Sequence, residues 1–383
     1  MSGDGLEWDE VYRRYEEERS EHWDSRKGEH RESIQTSEWA ERSEASYYNL
    51  RSEAIARDEQ RKRIIAAFHR QNPIARRCGW ELKGIRPLET LDAPIVDIAL
   101  GHSESGSVLG ILVLQERQRP QTAITELTEA IATMRANTRL LQEDLSGMSV
   151  DERRIEGTIV ISSTSERQAV EAIETMEVGV GLSEQIYLWK VVGTDEERIQ
   201  AHTDINRRSP DECLPDYDLS EPLQQGIKVA KGIHSLPDFF VDSHHETIAE
   251  ATVGEMIAQR KRDGAQITHF SSEDLETYLT RVLSGSDAID AASPMVEEMV
   301  LRWSGMDLIE SLTQSQTRLD DGSDYYRYKT GTQGSKTTIG AVRDNYTELA
   351  TDFKIEIEAR RRTLMDIREE EGEQRSLTNF SDA

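Results

Sequence analysis

The chain has 383 residues, a formal net charge of −27 and a mean hydropathy of −0.66, with 36% hydrophobic and 31% charged residues. That is length for two or three domains, with a modest core under a highly charged surface. Cys78 and Cys213 lie too far apart in sequence to suggest a zinc ribbon or a disulfide scaffold; no run approaches 18 apolar residues and no signal-peptide pattern opens the chain, so a cytoplasmic protein without membrane association is expected.

Residues 1–50 are almost wholly polar, with irregularly spaced aromatics such as Trp8, Tyr15, Trp23 and Trp39, and read as a charged helical or partly disordered arm. The segment 49–72 predicts a helix that stops at Asn72 before Pro73. Strand-like runs follow at 79–89, 94–101 and 107–116. An amphipathic helix over Thr122–Glu143 then places Ile124, Leu127, Ile131, Met134 and Leu141 near one face. A strand at 155–163, a helix capped by Ser165 and a last strand at 185–193 complete the domain spanning 51–195. A β-meander followed by βαβ crossovers predicts an α/β fold, a small mixed sheet with helices on both faces. The near-continuous apolar runs 94–100 and 108–114 suit central strands covered on both sides.

Residues 196–265 read as a loop-rich and helical connector with a helix near 246–262, and a further helix is expected near 272–284. Within the connector, "VDSHHETIAE" is taken as a helix start capped by Asp242 or Ser243. Residues 266–338 have a winged-helix outline: "PMVEEMVLRW" and "MDLIESLTQ" as helices, then a hairpin turned at Asp321-Gly322. DNA would be read through the helix near Met306–Gln314 and a wing at Tyr325–Lys329. Phosphate contacts would come from Arg318, Arg327, Lys329 and Lys336. The helix carries Asp307 and Glu310 and no base, so a protein-binding winged helix stands as an equal reading. Residues 339–383 form a charged C-terminal helix and tail. The basic stretches 61–65 and 358–364 are interleaved with acids and read as solvated helical faces.

Two carboxylates interrupt the apolar runs: Asp97 in "PIVDIAL" and Glu116 in "LVLQERQ". On antiparallel neighbouring strands they would converge at one sheet edge, a hard-oxygen site suited to Mg²⁺ or Mn²⁺ and able to activate water against a phosphodiester. Gln118 lies on the same side as Glu116, since side chains alternate along a strand.

These residues, with the αβββαβ element order, resemble the PD-(D/E)XK (restriction-endonuclease-like) nuclease superfamily over residues 51–193. The resemblance implies Asp97 and Glu116 as metal ligands, with Glu53 or Glu59 joining from the first helix. Gln118 falls where the family usually carries its catalytic lysine and would orient the water or the phosphate, with Lys83 as a stand-in cation. It implies a metal-dependent nuclease acting on DNA in repair, recombination, defence or a mobile element. The alternative is a catalytically inactive nuclease-fold scaffold that binds DNA or protein, with the charged terminal helices as a surface for a protein partner or a second copy.

The acid excess, with ten lysines against thirty-six arginines, resembles proteins of salt-loving archaea or of their viruses and mobile elements. At about 1 M salt the screening length is about 3 Å, so the self-repulsion of such a chain is largely removed.

Overall fold

The computed structural model describes residues 20–91, 93–114, 118–161, 166–172, 186–193, 196–202, 217–230, 238–263, 269–284, 288–305, 309–312, 325–328 and 335–370. Two compact units emerge in place of the five segments expected: Met1–Arg51 with Lys336–Ala383, and Ser52–Ser335.

The first unit is helical. Helix α1 (Ser20–Gln35), the opening turns of α2 (Glu38–Phe68) and a 36-residue C-terminal helix (Ser335–Glu370) make it up. Trp23 and Ile34 have no exposed surface, and Ile34, Ile355 and Ala359 pack together with Trp39 and Ala40 against them. Lys27 pairs with Glu356 at 3.2 Å and His30 with Asp366 at 2.8 Å. Helix α1 and the start of α2 therefore pack against the C-terminal helix within one molecule, and the described part of the arm, from Ser20, is helical.

The second unit is built on a seven-stranded mixed sheet. Its strands are β1 (Trp80–Ile85), β2 (Ile98–His102), β3 (Ser107–Val113), β4 (Ile155–Ile161), β5 (Ile186–Val192), β6 (Arg198–Ala201) and β7 (Ile227–Lys228), in that spatial order. The first three form an antiparallel meander, with Ile98 opposite Ile111. The pairs β3–β4 and β4–β5 are parallel, and β6 and β7 add antiparallel strands. The sheet thus runs two strands beyond β5, where it was expected to end.

The parallel steps need crossovers, supplied by helix α4 (Pro120–Ala136) between β3 and β4 and by the helical residues 166–172 (α6) between β4 and β5. Ala123, Ile124, Leu127, Ala130, Ile131 and Met134 of α4 are buried on one face of the sheet. Two sheet glycines, Gly110 and Gly157, let it approach: a Cβ on Gly110 would sit 3.0 Å from Ile131, and one on Gly157 3.0 Å from Leu127. The long helix expected to Glu143 breaks at Asn137, and α5 (Thr138–Asp144) continues it, still burying Leu141.

The other sheet face is covered by Ile64, Ile65, Phe68 of α2, by α3 (Pro73–Cys78) and by α7 (Tyr217–Gln225). Phe68 stacks on Trp189 with ring centroids 5.7 Å apart. Asn72 marks a helix start, not a stop. Helix α2 ends at Phe68, and the Asn72 side chain accepts the Ile74 N–H at the head of α3, with Pro73 at the first helical position.

Beyond the sheet, two helices fall where they were expected: α8 (His245–Asp263) and α9 (Ser272–Val282). Between them β9 (His269–Ser271) pairs with β12 (Tyr325–Tyr328), which also pairs with β11 (Ile309–Leu312), so β12 is central. Residues 239–240 (β8) and 283–284 (β10) form a short parallel pair, and α10 (Ala288–Gly305) follows. "MDLIESLTQ" is therefore strand at 309–312, not helix. Ile309 is buried, Glu310 half-buried and Ser311 exposed, and the ladder to β12 outweighs a helical pattern only nine residues long. The expected turn at Asp321-Gly322 and the remainder of the 306–314 segment lie outside the described residues.

Candidate functional site

The start of β2 carries an ionic cluster. Asp97 precedes the strand, and its backbone N–H bonds the Ile111 carbonyl, so the antiparallel register fixes it beside β3. It is only 5% exposed. One carboxylate oxygen, Oδ2, accepts the Val113 N–H at 2.7 Å. The other, Oδ1, accepts Arg61 Nε at 2.9 Å and also Arg61 Nη2.

Arg61 comes from α2 and has no exposed surface. Its guanidinium also donates to Asp242 at 2.6 and 2.9 Å and to Asp58 at 3.3 Å, and lies 5.0 Å from the centre of the Phe240 ring. Asp242 also accepts from Arg57 at 2.6 Å and from Arg86 at 2.5 Å, and Arg86 pairs in turn with Glu89. Ser243 Oγ donates to Asp58 at 2.6 Å and accepts the Phe240 N–H. Three arginines thus meet four carboxylates, drawn from α2, from loops after β1 and before β2, and from the loop before α8.

The electrostatics divide the acids. Burial alone would raise the Asp242 carboxyl, but the hydrogen bonds and charges of Arg61, Arg57 and Arg86 hold it down at about 2. Burial wins at Asp58, whose carboxyl is pushed up despite the Ser243 hydrogen bond and the arginines. Asp58 is therefore more readily protonated than Asp242.

Of the residues expected to form a metal or phosphate site, some lie outside the described residues and others have partners of their own. Glu116, Arg318 and Lys329 lie outside the described residues, as does the Lys336 side chain; Lys336 itself belongs to the helical unit. Lys83 is bonded to Glu81 on its own strand at 3.2 Å. Glu59 is exposed and pairs with Lys62, and Glu53 is half-buried five residues before Asp58. The α2 residues that reach Asp97 are instead Arg61 directly and Asp58 through it. Gln118 donates to Glu126 Oε2 of α4 at 2.6 Å. Burial raises the Glu126 carboxyl, Gln118 opposes the rise, and the charge of Asp97 adds to it, which brings all three within electrostatic reach. Arg327 pairs with Glu310 across the β11–β12 ladder. Asp242 and Ser243 are not helix caps: both side chains turn into the cluster.

Arg61, absent from the expected site, has a signal in the sequence. It stands on one face with Ile64, Ile65 and Phe68, at spacing i, i+3, i+4, i+7, so a charge there must be buried when the row packs.

A divalent ion at Asp97 fits this arrangement poorly. A hard cation needs carboxylate oxygens turned toward it. Here Oδ1 is committed to a guanidinium and Oδ2 to a backbone N–H, and the local counter-charge is supplied by arginine.

No family model, curated protein or solved structure matches the chain.

Proposed function

We propose that this protein is a non-catalytic scaffold, a restriction-endonuclease-like sheet kept as a platform for assembly with protein partners. The fold part is supported by the spatial order β1 to β5, with a meander leading into two parallel pairs, and by helices preceding β1 and crossing from β3 to β4. The functional part is carried by one observation: the aspartate that would anchor a metal is the buried counter-ion of Arg61.

A winged-helix-like character for residues 266–338 is supported by the order β9-α9-β10-α10-β11-β12 with β12 central. Along α10 the outward positions are Asp290, Ser293, Pro294, Glu297, Leu301 and Ser304, with Leu301 75% exposed. An acidic face with an apolar residue repels phosphate and suits a protein surface better than DNA.

The test is incubation of the full chain with supercoiled, linear and single-stranded DNA in Mg²⁺ or Mn²⁺, in dilute and molar salt. No metal-dependent cleavage is expected. Cleavage that disappears in both Asp97→Ala and Glu116→Ala would replace the scaffold with a nuclease.

A further inference from the structure

The C-terminal helix α11 (Ser335–Glu370) carries apolar side chains on two opposed sides. Ile355, Ala359 and Thr363 form a buried row, and the first two pack on Ile34, Trp39 and Ala40 of the same unit. Two residues earlier or later in each turn lies a second row: Phe353, Ile357, Arg361 and Met365. A two-residue offset is about 200° around a helix of 3.6 residues per turn, so the rows face apart. In the second row Phe353 is 68% exposed, Ile357 47% and Met365 38%. Arg361 does not break the row, since Nη1 folds back to 3.8 Å from Met365 Sδ and its stem lies along it. A helix apolar on opposite sides is built for two partners, and the chain's own α1 and α2 supply one.

We infer that the Phe353–Ile357–Met365 row is the contact surface for a second copy of this chain. Charge selects that occupant. The chain carries −27 overall, so two copies repel over most of their surface. Around this row the balance is local and even: Asp352, Glu356, Glu358 and Asp366 are matched by Lys354, Arg360, Arg361 and Arg362. Acids dominate over 352–358 and bases over 360–362, so a second copy running antiparallel would set the acidic half of one row against the basic half of the other, beside the pairs these groups make within their own chain. A strongly basic partner would find no net attraction here, and the acidic remainder of a copy would be repelled elsewhere. The paired row is the place where like chains meet at least cost, and salt that screens the rest strengthens the contact. This names the partner in the assembly reading above, yet the contact stands or falls by mass alone, whatever the cleavage assay returns.

The experiment is sedimentation equilibrium of the full chain over a concentration series, in dilute and molar salt. Wild type is expected at twice the chain mass of 43.6 kDa, with a dissociation constant that tightens as salt rises. Ile357→Asp and Phe353→Asp each weaken the dimer about tenfold or more, while Leu301→Asp leaves it intact. Ile357→Ser, which keeps helical circular dichroism, serves should either aspartate variant misfold. Wild type at the single-chain mass throughout overturns the inference, as does a dimer indifferent to all three row variants. A monomer whose melting temperature falls in those variants also overturns it, because the row would then be covered by the same chain.

Discussion

Replacing Arg61 by alanine removes the cation at the centre of the cluster, and its cost can be built from the contacts. The side chain has no exposed surface and donates to Asp97, Asp242 and Asp58. Asp242 keeps Arg57 and Arg86, so its loss is partial. Among the described residues Asp97 keeps the Val113 N–H, and its carboxylate, 5% exposed beside Arg61, is left a buried charge without its cation. Removing one partner of a buried ion pair costs about 3–5 kcal/mol, a fifth or more of the roughly 5–15 kcal/mol that holds a typical domain folded. Arg61→Lys recovers little, since an ammonium cannot span three carboxylates as the planar fork does. Removing Asp97 as well should return at least about 1 kcal/mol, the coupling expected of contacting residues. Lys62→Ala, one residue away with an exposed partner in Glu59, should cost at most about 0.5 kcal/mol. Urea unfolding followed by tryptophan fluorescence, with Trp189 and Trp80 in the core beside α2 and α3, reads these differences from midpoints at constant slope. An Arg61→Ala loss below about 1 kcal/mol at unchanged slope would refute the claim that the guanidinium organises this end of the sheet.

Acid should expose the same cluster. Asp242 is held at about 2 against an ordinary 3.8, so its stabilisation, about 2 kcal/mol, is complete above pH 3.8 and is lost as pH falls toward 2. Asp58, shifted upward, contributes with the opposite sign and offsets part of that loss; Asp58→Asn should therefore steepen the acid transition. In Gln118→Ala the Glu126 carboxyl should rise further, because burial then acts without the opposing hydrogen bond; an NMR titration of that carboxyl checks it. Gly79, at φ +73° after α3, has His102 Nε2 2.6 Å from where a Cβ would stand. Gly79→Ala should lower stability by about 1–3 kcal/mol in the same urea assay.

The α/β architecture was legible because its signals are local. The apolar runs at 98–102, 107–113 and 155–161 are strands, and the 3.6-residue period after Pro120 is a helix that buries the residues expected of it. What escaped was set by distant partners. The two-residue strand at 227–228 has no pattern of its own and exists by pairing with β6. Ile309–Leu312 follows helical residues and becomes strand only because Tyr325–Tyr328 lies alongside. At the site, the sequence displays Asp97 as an acid among apolar neighbours. Which counter-charge it meets depends on a residue 36 positions before it and on a cluster completed 145 positions after it, at Asp242. The apolar row containing Arg61 holds that information, although the charges of 61–65 taken alone suggest a solvated face.

Isothermal titration of the full chain with Mn²⁺ at neutral pH, beside Asp97→Asn, puts the role of that aspartate to the test most directly. If its carboxylate serves the buried arginine, the two titrations superimpose, with no saturable heat that depends on residue 97. One-to-one binding in the wild type that vanishes in Asp97→Asn would mean the guanidinium yields to a metal, and the scaffold reading would fall.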